Sequence, residues 1–306
     1  LFAAYVNAEW RVALDEEAMV AALEATGRFR VLRKLEPSYR PAPSDGEAYR
    51  TALFVDVETT GLDPARDEII ELAMVRFSYD AEGHIFSIED VYHGLQEPSV
   101  PITDEITKLT GIDASMVAGH RIDKEAVARL VEESDLILAH NAGFDRKFLE
   151  RFCDAFMHKP WGCTQSQIDW KSEGFEGTRL SYLASGAGFF YDRHRALNDC
   201  HAAVALLTQT LPQSGRNALT CLLEQARRKD VRLFATQAPF DMKDRLRARG
   251  YRWNGEGIGA SRAWFIDVPE DQLDAETGWL ETEIYGRPAD LHRLRIDAFN
   301  RFSARV

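Results

Sequence analysis

Ala52-Leu53-Phe54-Val55-Asp56-Val57-Glu58-Thr59-Thr60-Gly61 is an apolar run interrupted by two carboxylates, and its composition predicts a strand. In a strand, the i, i+2 spacing points Asp56 and Glu58 to one face. Two anions desolvated side by side are destabilising unless a cation sits with them. No Lys or Arg lies between Thr51 and Asp63. The expected partner is therefore a hard metal ion held by oxygen ligands, Mg²⁺ or Mn²⁺, and the expected chemistry is that of phosphates.

Outward from this strand, residues 50 to 212 alternate apolar strands with amphipathic helices, the α/β pattern. Strands are expected at Leu53–Val57, Ile69–Phe77, Ile85–Leu95 and Asp135–Ala139, with another near Trp161. Helices are expected at Thr103–Thr110, Asp123–Glu133, Asp145–Phe156, Arg179–Gly186 and Ala196–Thr210. Three hairpin-like strands followed by helix-linked ones imply a mixed sheet. Residues 1 to 49 read as an N-terminal extension, with a helix at Asp15–Thr26, a strand at Arg28–Leu35 and a Pro-rich linker from Glu36 to Gly46. Residues 213 to 306 read as a helical bridge (Asn217–Lys229), a small α+β module and a tail, Asp290–Val306, expected as an amphipathic helix.

Charge divides along the same lines. The 306-residue chain has a net charge of −12, but residues 216 to 305 carry 16 basic and 14 acidic side chains, leaving −14 for the rest. Arg227 to Arg252 alone holds nine basic residues against Asp230, Asp241 and Asp244. An acidic part suited to metal thus stands beside a basic, aromatic-bearing part suited to a phosphate backbone. A solvated charged face would produce the same pattern. No apolar stretch approaches the roughly 18 residues that cross a membrane, so no membrane partner and a cytoplasmic address are expected. Cys153, Cys163, Cys200 and Cys221 lack C-x-x-C spacing, which argues against zinc and for reduced thiols packed in the core.

Two later segments offer further ligands. In His140-Asn141-Ala142-Gly143-Phe144-Asp145, a strand gives way to a helix with Asp145 in its first turn, where a carboxylate is also favoured by the helix dipole alone. In His194-Arg195-Ala196-Leu197-Asn198-Asp199-Cys200, Asp199 borders a helix whose buried stripe is Cys200, Ala203, Val204 and Leu207. His194 lies in the preceding loop, and an imidazole suits proton transfer near neutral pH.

Asp-x-Glu on a strand, Asn-x-x-x-Asp opening a helix and His-x-x-x-x-Asp opening a later helix, in that order, resemble the three motifs of the DEDDh family of 3′-5′ exonucleases. The resemblance covers Thr51 to Leu211 and includes Ile106-Thr107-Lys108-Leu109-Thr110-Gly111-Ile112. The sister class with Tyr in place of His would need Tyr at position 195, where Arg195 stands. The resemblance implies a ribonuclease H-like fold: an α/β, mixed five-stranded sheet flanked by helices. It implies two divalent metal ions, Mg²⁺ or Mn²⁺, with Asp56 between them, Glu58 and Asp199 completing one site and Asp145 serving the other. It implies His194 as the general base for a water attacking the terminal phosphodiester, with release of a nucleoside 5′-monophosphate. Thr59, Thr60, Leu62 and Phe144 are implied contacts to the terminal nucleotide; for the two threonines, ordinary turn chemistry is the competing reading. His140 is expected to support its loop, and His201, Trp161 and Trp170 to pack.

Ala238–Asp244, Gly250–Asn254 and Arg262–Phe265 resemble a short module of some plasmid primase-like and DNA-processing proteins. Its aromatics either stack on bases, with Arg247, Arg249 and Arg252 on phosphates, or form the module's own core. The expected partner is single-stranded or frayed nucleic acid, DNA ahead of RNA. An exoribonuclease and a catalytically silent binding domain are the alternatives; the presence of all four carboxylates and His194 argues against silence.

Overall fold

The structure is a computed structural model and describes residues 15–37, 49–255, 257–258 and 262–306. In chain order the first elements are α1 (Glu16–Ala25), β1 (Arg33–Lys34), β2 (Arg50–Thr59), β3 (Ile69–Tyr79), β4 (Ile85–Leu95), α2 (Asp104–Thr110), α3 (Ala114–Val117) and α4 (Lys124–Glu132). Next come β5 (Leu136–Ala139), α5 (Ala142–Phe152), β6 (Trp161–Cys163), α6 (Leu180–Gly186), β7 (Phe189–Phe190), α7 (Ala196–Leu207) and α8 (Ala218–Arg227). The chain continues with β8 (Asp230–Ala235), α9 (Lys243–Ala248), β9 (Arg252–Trp253), β10 (Trp264–Pro269), α10 (Leu273–Trp279) and β11 (Arg293–Ile296).

The expected mixed five-stranded sheet is present, in the order β4-β3-β2-β5-β6. Strands β2, β3 and β4 pair antiparallel, whereas β5 and β6 run parallel to β2. Strand alternation sorts β2 between two cores. Ala52 and Phe54 face α6, α7 and α8, packing on Cys200, Ala203, Val204 and Leu222. Leu53, Val55 and Val57 face α4 and α5, packing on Leu130, Phe148 and Leu149. Truncating a side chain as buried as Phe54 typically costs about 3–5 kcal/mol. Trp161 and Trp170 are buried packing residues, as expected, and each indole N–H donates to a backbone carbonyl. All four cysteines are free thiols, Cys163 and Cys200 buried and the other two half-buried.

A second, four-stranded antiparallel sheet has the order β11-β8-β10-β9 and packs on α9 and α10 through Leu233, Leu246 and Leu280. The two tryptophans weighed as its core divide: Trp264 is half-buried, whereas Trp253 is 54% exposed and meets Trp264 edge-on at 5.7 Å.

Several expectations need correction. The tail is not a helix: Arg293–Ile296 forms β11 on the edge of β8, followed by turns. Arg293-Leu294-Arg295-Ile296 alternates with period two, so a strand turns half-buried Leu294 and buried Ile296 to one face, and β8 gains a hydrogen-bonded neighbour. The strand expected over Arg28–Leu35 shrinks to the two residues of β1, which pair parallel with β7. Residues 270–285 form an interrupted helix, with a 3₁₀ turn before α10 and a wider π turn after it, ended by Gly286 at φ 64°. The helix expected over Asp145–Phe156 begins earlier, at Ala142, and gives way after Phe152 to a 3₁₀ turn. Linker positions 38 to 46 lie outside the described residues. Among the described residues, no helix is long and apolar enough to cross a membrane.

Candidate active site

The face of β2 that carries Ala52 and Phe54 continues through Asp56 and Glu58, so both carboxylates point toward the start of α7 rather than toward α5. Asp199 stands in the first turn of that helix. One oxygen each from Asp56, Glu58 and Asp199 lies within 4.8 Å of the others, the only such metal-competent group among the described residues. Burial, reinforced by neighbouring acids, pushes Glu58 up to about 8 and Asp56 well above the usual carboxylate range. Burial also raises Asp199, although Tyr191, the Arg195 amide and His194 oppose it. The Tyr191 hydroxyl donates to Asp199 Oδ1 at 2.8 Å and the Arg195 amide to Oδ2 at 3.2 Å.

Asp145 approaches from the other side of the sheet. It is buried in the first turn of α5, and its Oδ1 accepts the Val57 amide at 3.3 Å, between the two carboxylates of β2. It falls outside the trio, yet after burial it is the largest electrostatic influence holding Asp56 up. Burial raises Asp145 itself to about 7.

Protonated carboxyls packed this closely form a poor resting arrangement for an apolar strand end but a good oxygen cage for a hard divalent cation, whose charge would restore their ionised form. The residues therefore fit such ions. His194 is exposed at a left-handed φ of 62° in the loop entering α7 and has no side-chain hydrogen bond among the described residues.

The remaining expected residues have definite places. The Thr59 hydroxyl donates to the Gly61 carbonyl at 2.6 Å, and the Thr60 hydroxyl accepts the Glu68 amide at 3.0 Å. The Thr60 amide also donates to Glu68, so it is not open to a ligand, and both threonine side chains serve the turn. This turn is tight: a Cβ on Gly61 would come within 2.5 Å of the Asp67 carboxylate. Leu62 is 84% exposed, and Phe144 is half-buried against Phe148 at 4.9 Å. His140 bridges Thr164 Oγ1 and the Thr178 carbonyl, both at 2.8 Å. Burial pushes His140 down to about 4, which makes it a neutral brace for the loop.

Sequence reasoning passed over Glu71. It lies on β3 directly opposite Glu58 and is fully buried. Its Oε1 accepts Arg195 Nε and Nη2 at 3.0 and 2.9 Å and faces His93 Nε2 at 2.7 Å, while Oε2 accepts the Ala196 amide at 2.9 Å. Burial alone would raise this carboxyl, but the Ala196 amide, His93 and Arg195 together hold it below the ordinary value. Glu71 thereby pins the start of α7, and with it Asp199 and the His194 loop. The available signal was a single acid inside the otherwise apolar run Ile69-Ile70-Glu71-Leu72-Ala73.

A mixed five-stranded sheet whose central strand ends in Asp-x-Glu, completed by acids from helices on its two faces, defines an exonuclease domain of the DEDDh type. The Exonuclease family model matches residues 53–207, and the chain belongs to that family. Among curated relatives, the PolC-type DNA polymerase III of Thermotoga maritima is 29% identical over 209 residues, covering 64% of this chain and 15% of that protein. The DNA polymerase III subunit epsilon of Aquifex aeolicus is 28% identical over 170 residues, covering 53% of this chain and 81% of that protein. The chain thus spans only 7–15% of the length of the PolC-type relatives it matches. Among solved structures, exonuclease X in complex with 5′-overhanging duplex DNA is 26% identical, with a TM-score of 0.40, covering 55% of this chain and 99% of that one. Members of this family are hydrolytic nucleases that depend on divalent metal.

Proposed function

We propose that this chain is a metal-dependent 3′-5′ exonuclease that hydrolyses the terminal phosphodiester of single-stranded DNA and releases nucleoside 5′-monophosphates. The observation that carries the reading is the convergence of Asp56, Glu58 and Asp199 within 4.8 Å, with Asp145 beside them. Mg²⁺ or Mn²⁺ held by these four residues would supply Lewis-acid activation and offset the charge on the reacting phosphate. His194 accepts the proton of the water that attacks phosphorus; the P–O3′ bond breaks, and the departing 3′-oxygen takes a proton from solvent. Tyr191 and the Arg195 amide hold Asp199 in place, and Glu71 holds the strand–helix junction that carries it. Exposed Leu62 and half-buried Phe144 offer apolar surface to the terminal nucleotide.

DNA is favoured as substrate because the curated relatives are DNA polymerase III proteins. The test is degradation of matched 5′-labelled DNA and RNA oligomers with Mn²⁺ and with Mg²⁺. Progressive shortening from the 3′ end with faster loss of DNA is expected. Asp56→Ala should lower turnover on the order of 10³-fold, the equivalent of about 4 kcal/mol of lost transition-state stabilisation. Metal-independent cleavage, or full activity in Asp56→Ala, would overturn the reading.

A further inference from the structure

On the α7 side of the sheet, α6, β7 and the loop into α7 enclose a groove of about 760 Å³ that none of the expected site residues lines. Its walls carry Arg179, Tyr182, Phe190, Tyr191 and Arg193, with Glu176 as the one acid. Tyr182 and Phe190 are 43% and 44% exposed, unusual for large rings so close to a buried core. Among the described residues, neither Arg179 nor Arg193 has an ion pair or a side-chain hydrogen bond. The acid nearest Arg193 in sequence, Asp192, is already paired with Lys34 at 2.8 Å.

The groove is also braced from behind. Strand β1 adds to β7, and Arg30 donates to the Ser185 and Gly186 carbonyls at the end of α6 at 2.8 and 2.6 Å. It adjoins the site: Tyr191, in its wall, donates to Asp199 at 2.8 Å, and Arg193 immediately precedes His194. Leu62 and Phe144 stand elsewhere: Phe144 packs on the α5 face of the sheet. A strand whose last nucleotide rests on Leu62 and Phe144 would cross the carboxylates and leave along the α7 side.

We propose that this groove binds the single-stranded nucleic-acid segment on the 5′ side of the scissile phosphate, with Tyr182 and Phe190 stacking on bases and Arg179 and Arg193 contacting phosphates. The proposal rests on the exonuclease reading above. A chain of net charge −12 with a carboxylate centre repels a polyanion, and unpaired guanidinium groups beside exposed rings supply the attraction where it is needed. Exposed aromatics next to free cations are what single strands require, since every base has a face to stack and every linkage a charge.

The test is equilibrium binding, by fluorescence anisotropy in EDTA, of a 5′-fluorescein oligothymidylate of about twelve nucleotides, a length within single-strand site sizes. Tyr182→Ala and Phe190→Ala should each weaken binding about tenfold. Arg179→Gln should reduce the slope of log affinity against log salt by about 0.7, the loss of one phosphate contact to a single strand. Arg179→Glu should weaken binding further. Thermal melting of each variant establishes that it is folded; should an alanine variant fail to fold, Tyr182→Ser and the Arg179 pair carry the test. Wild-type affinity and salt slope in folded Tyr182 and Arg179 variants would overturn the groove assignment.

Hydrolysis of thymidine 5′-p-nitrophenyl phosphate, which has no nucleotide on the leaving side, separates the two claims. If wild type cleaves this ester with Mn²⁺ but the variants bind the oligomer normally, the groove assignment alone fails. If wild type cleaves neither substrate yet the variants bind more weakly, the exonuclease reading fails, and with it the placement relative to a scissile phosphate, while the groove is left as a single-strand binding surface.

Discussion

Adding a divalent cation to the metal-free protein should release protons, and the amount follows from the environment of each carboxylate. Burial holds Glu58 at about 8 and Asp145 at about 7. At pH 7, Glu58 then carries about nine-tenths of a proton and Asp145 about half of one, and both must leave when the groups become ligands. Asp56, which burial and its acidic neighbours also hold well above the usual carboxylate range, adds to the release. The expected stoichiometry is between one and two protons per chain, or more if Asp56 empties fully. At pH 9 the part owed to Glu58 and Asp145 falls to about a tenth of a proton. Mn²⁺ titrations by calorimetry, in buffers of different ionisation enthalpy, read this number directly. The logarithm of affinity should climb with pH by at least about one per unit near neutrality, and the part of that slope owed to Glu58 and Asp145 should fade above pH 8. Tight Mn²⁺ binding at pH 7 with release below about half a proton would mean that the carboxyls are already ionised, and the account of a desolvated, mutually repelling cluster would be wrong.

The same raised carboxyls affect stability. The folded chain retains a proton on Glu58 that the unfolded chain, with glutamate near 4.5, has lost, so the contribution of this carboxyl to stability without metal is full below about pH 4.5 and is lost as pH rises through about 8. Asp56→Asn, which takes one desolvated acid out of the crowded cluster, should raise the melting midpoint in EDTA at pH 8, at about 2–4 °C per kcal/mol, while abolishing turnover; a lowered midpoint would contradict the argument. A third expectation concerns Arg146, which is fully buried and donates to Glu150 and to the carbonyls of Ala298, Phe299 and Arg301. Arg146→Met strands those acceptors and should cost about 3 kcal/mol or more, and proteolysis should begin within residues 297–305. Unchanged melting and an intact tail would show that the tail is held by other means.

The fold was legible in the sequence wherever periodicity met a core. Alternation along β2 was enough to send Asp56 and Glu58 to one face, and the stripe Cys200, Ala203, Val204 and Leu207 was enough to orient α7 so that Asp199 could meet them. Glu71 escaped because its meaning depends on β3 lying beside β2 and on Arg195 arriving from 124 residues later, neither of which is a local property. The tail escaped for the opposite reason. Its apolar residues were read with a helical period over 17 positions, whereas only the four of β11, alternating strictly, decide the pairing. For Thr59 and Thr60 the structure adds what periodicity does not carry, the turn after β2 that their hydroxyls close with Gly61 and Glu68.

The second sheet enters and leaves the molecule at one place. Asp230 opens β8 opposite Ile296, the last residue of β11, and Arg301 ties the returning chain to the Arg228 carbonyl at 2.7 Å and to Asp230 at 2.8 Å. On either side of this stem the chain belongs to the first sheet's layers: α8 packs against α7, and the Ala298 carbonyl accepts the Trp161 amide at 2.8 Å. Positions 230 to 296 are therefore spliced into the nuclease rather than trailing from it. Two adjoining stems fix the direction in which the inserted sheet projects, and the same closeness would let a short peptide bridge replace it with both flanks left in place.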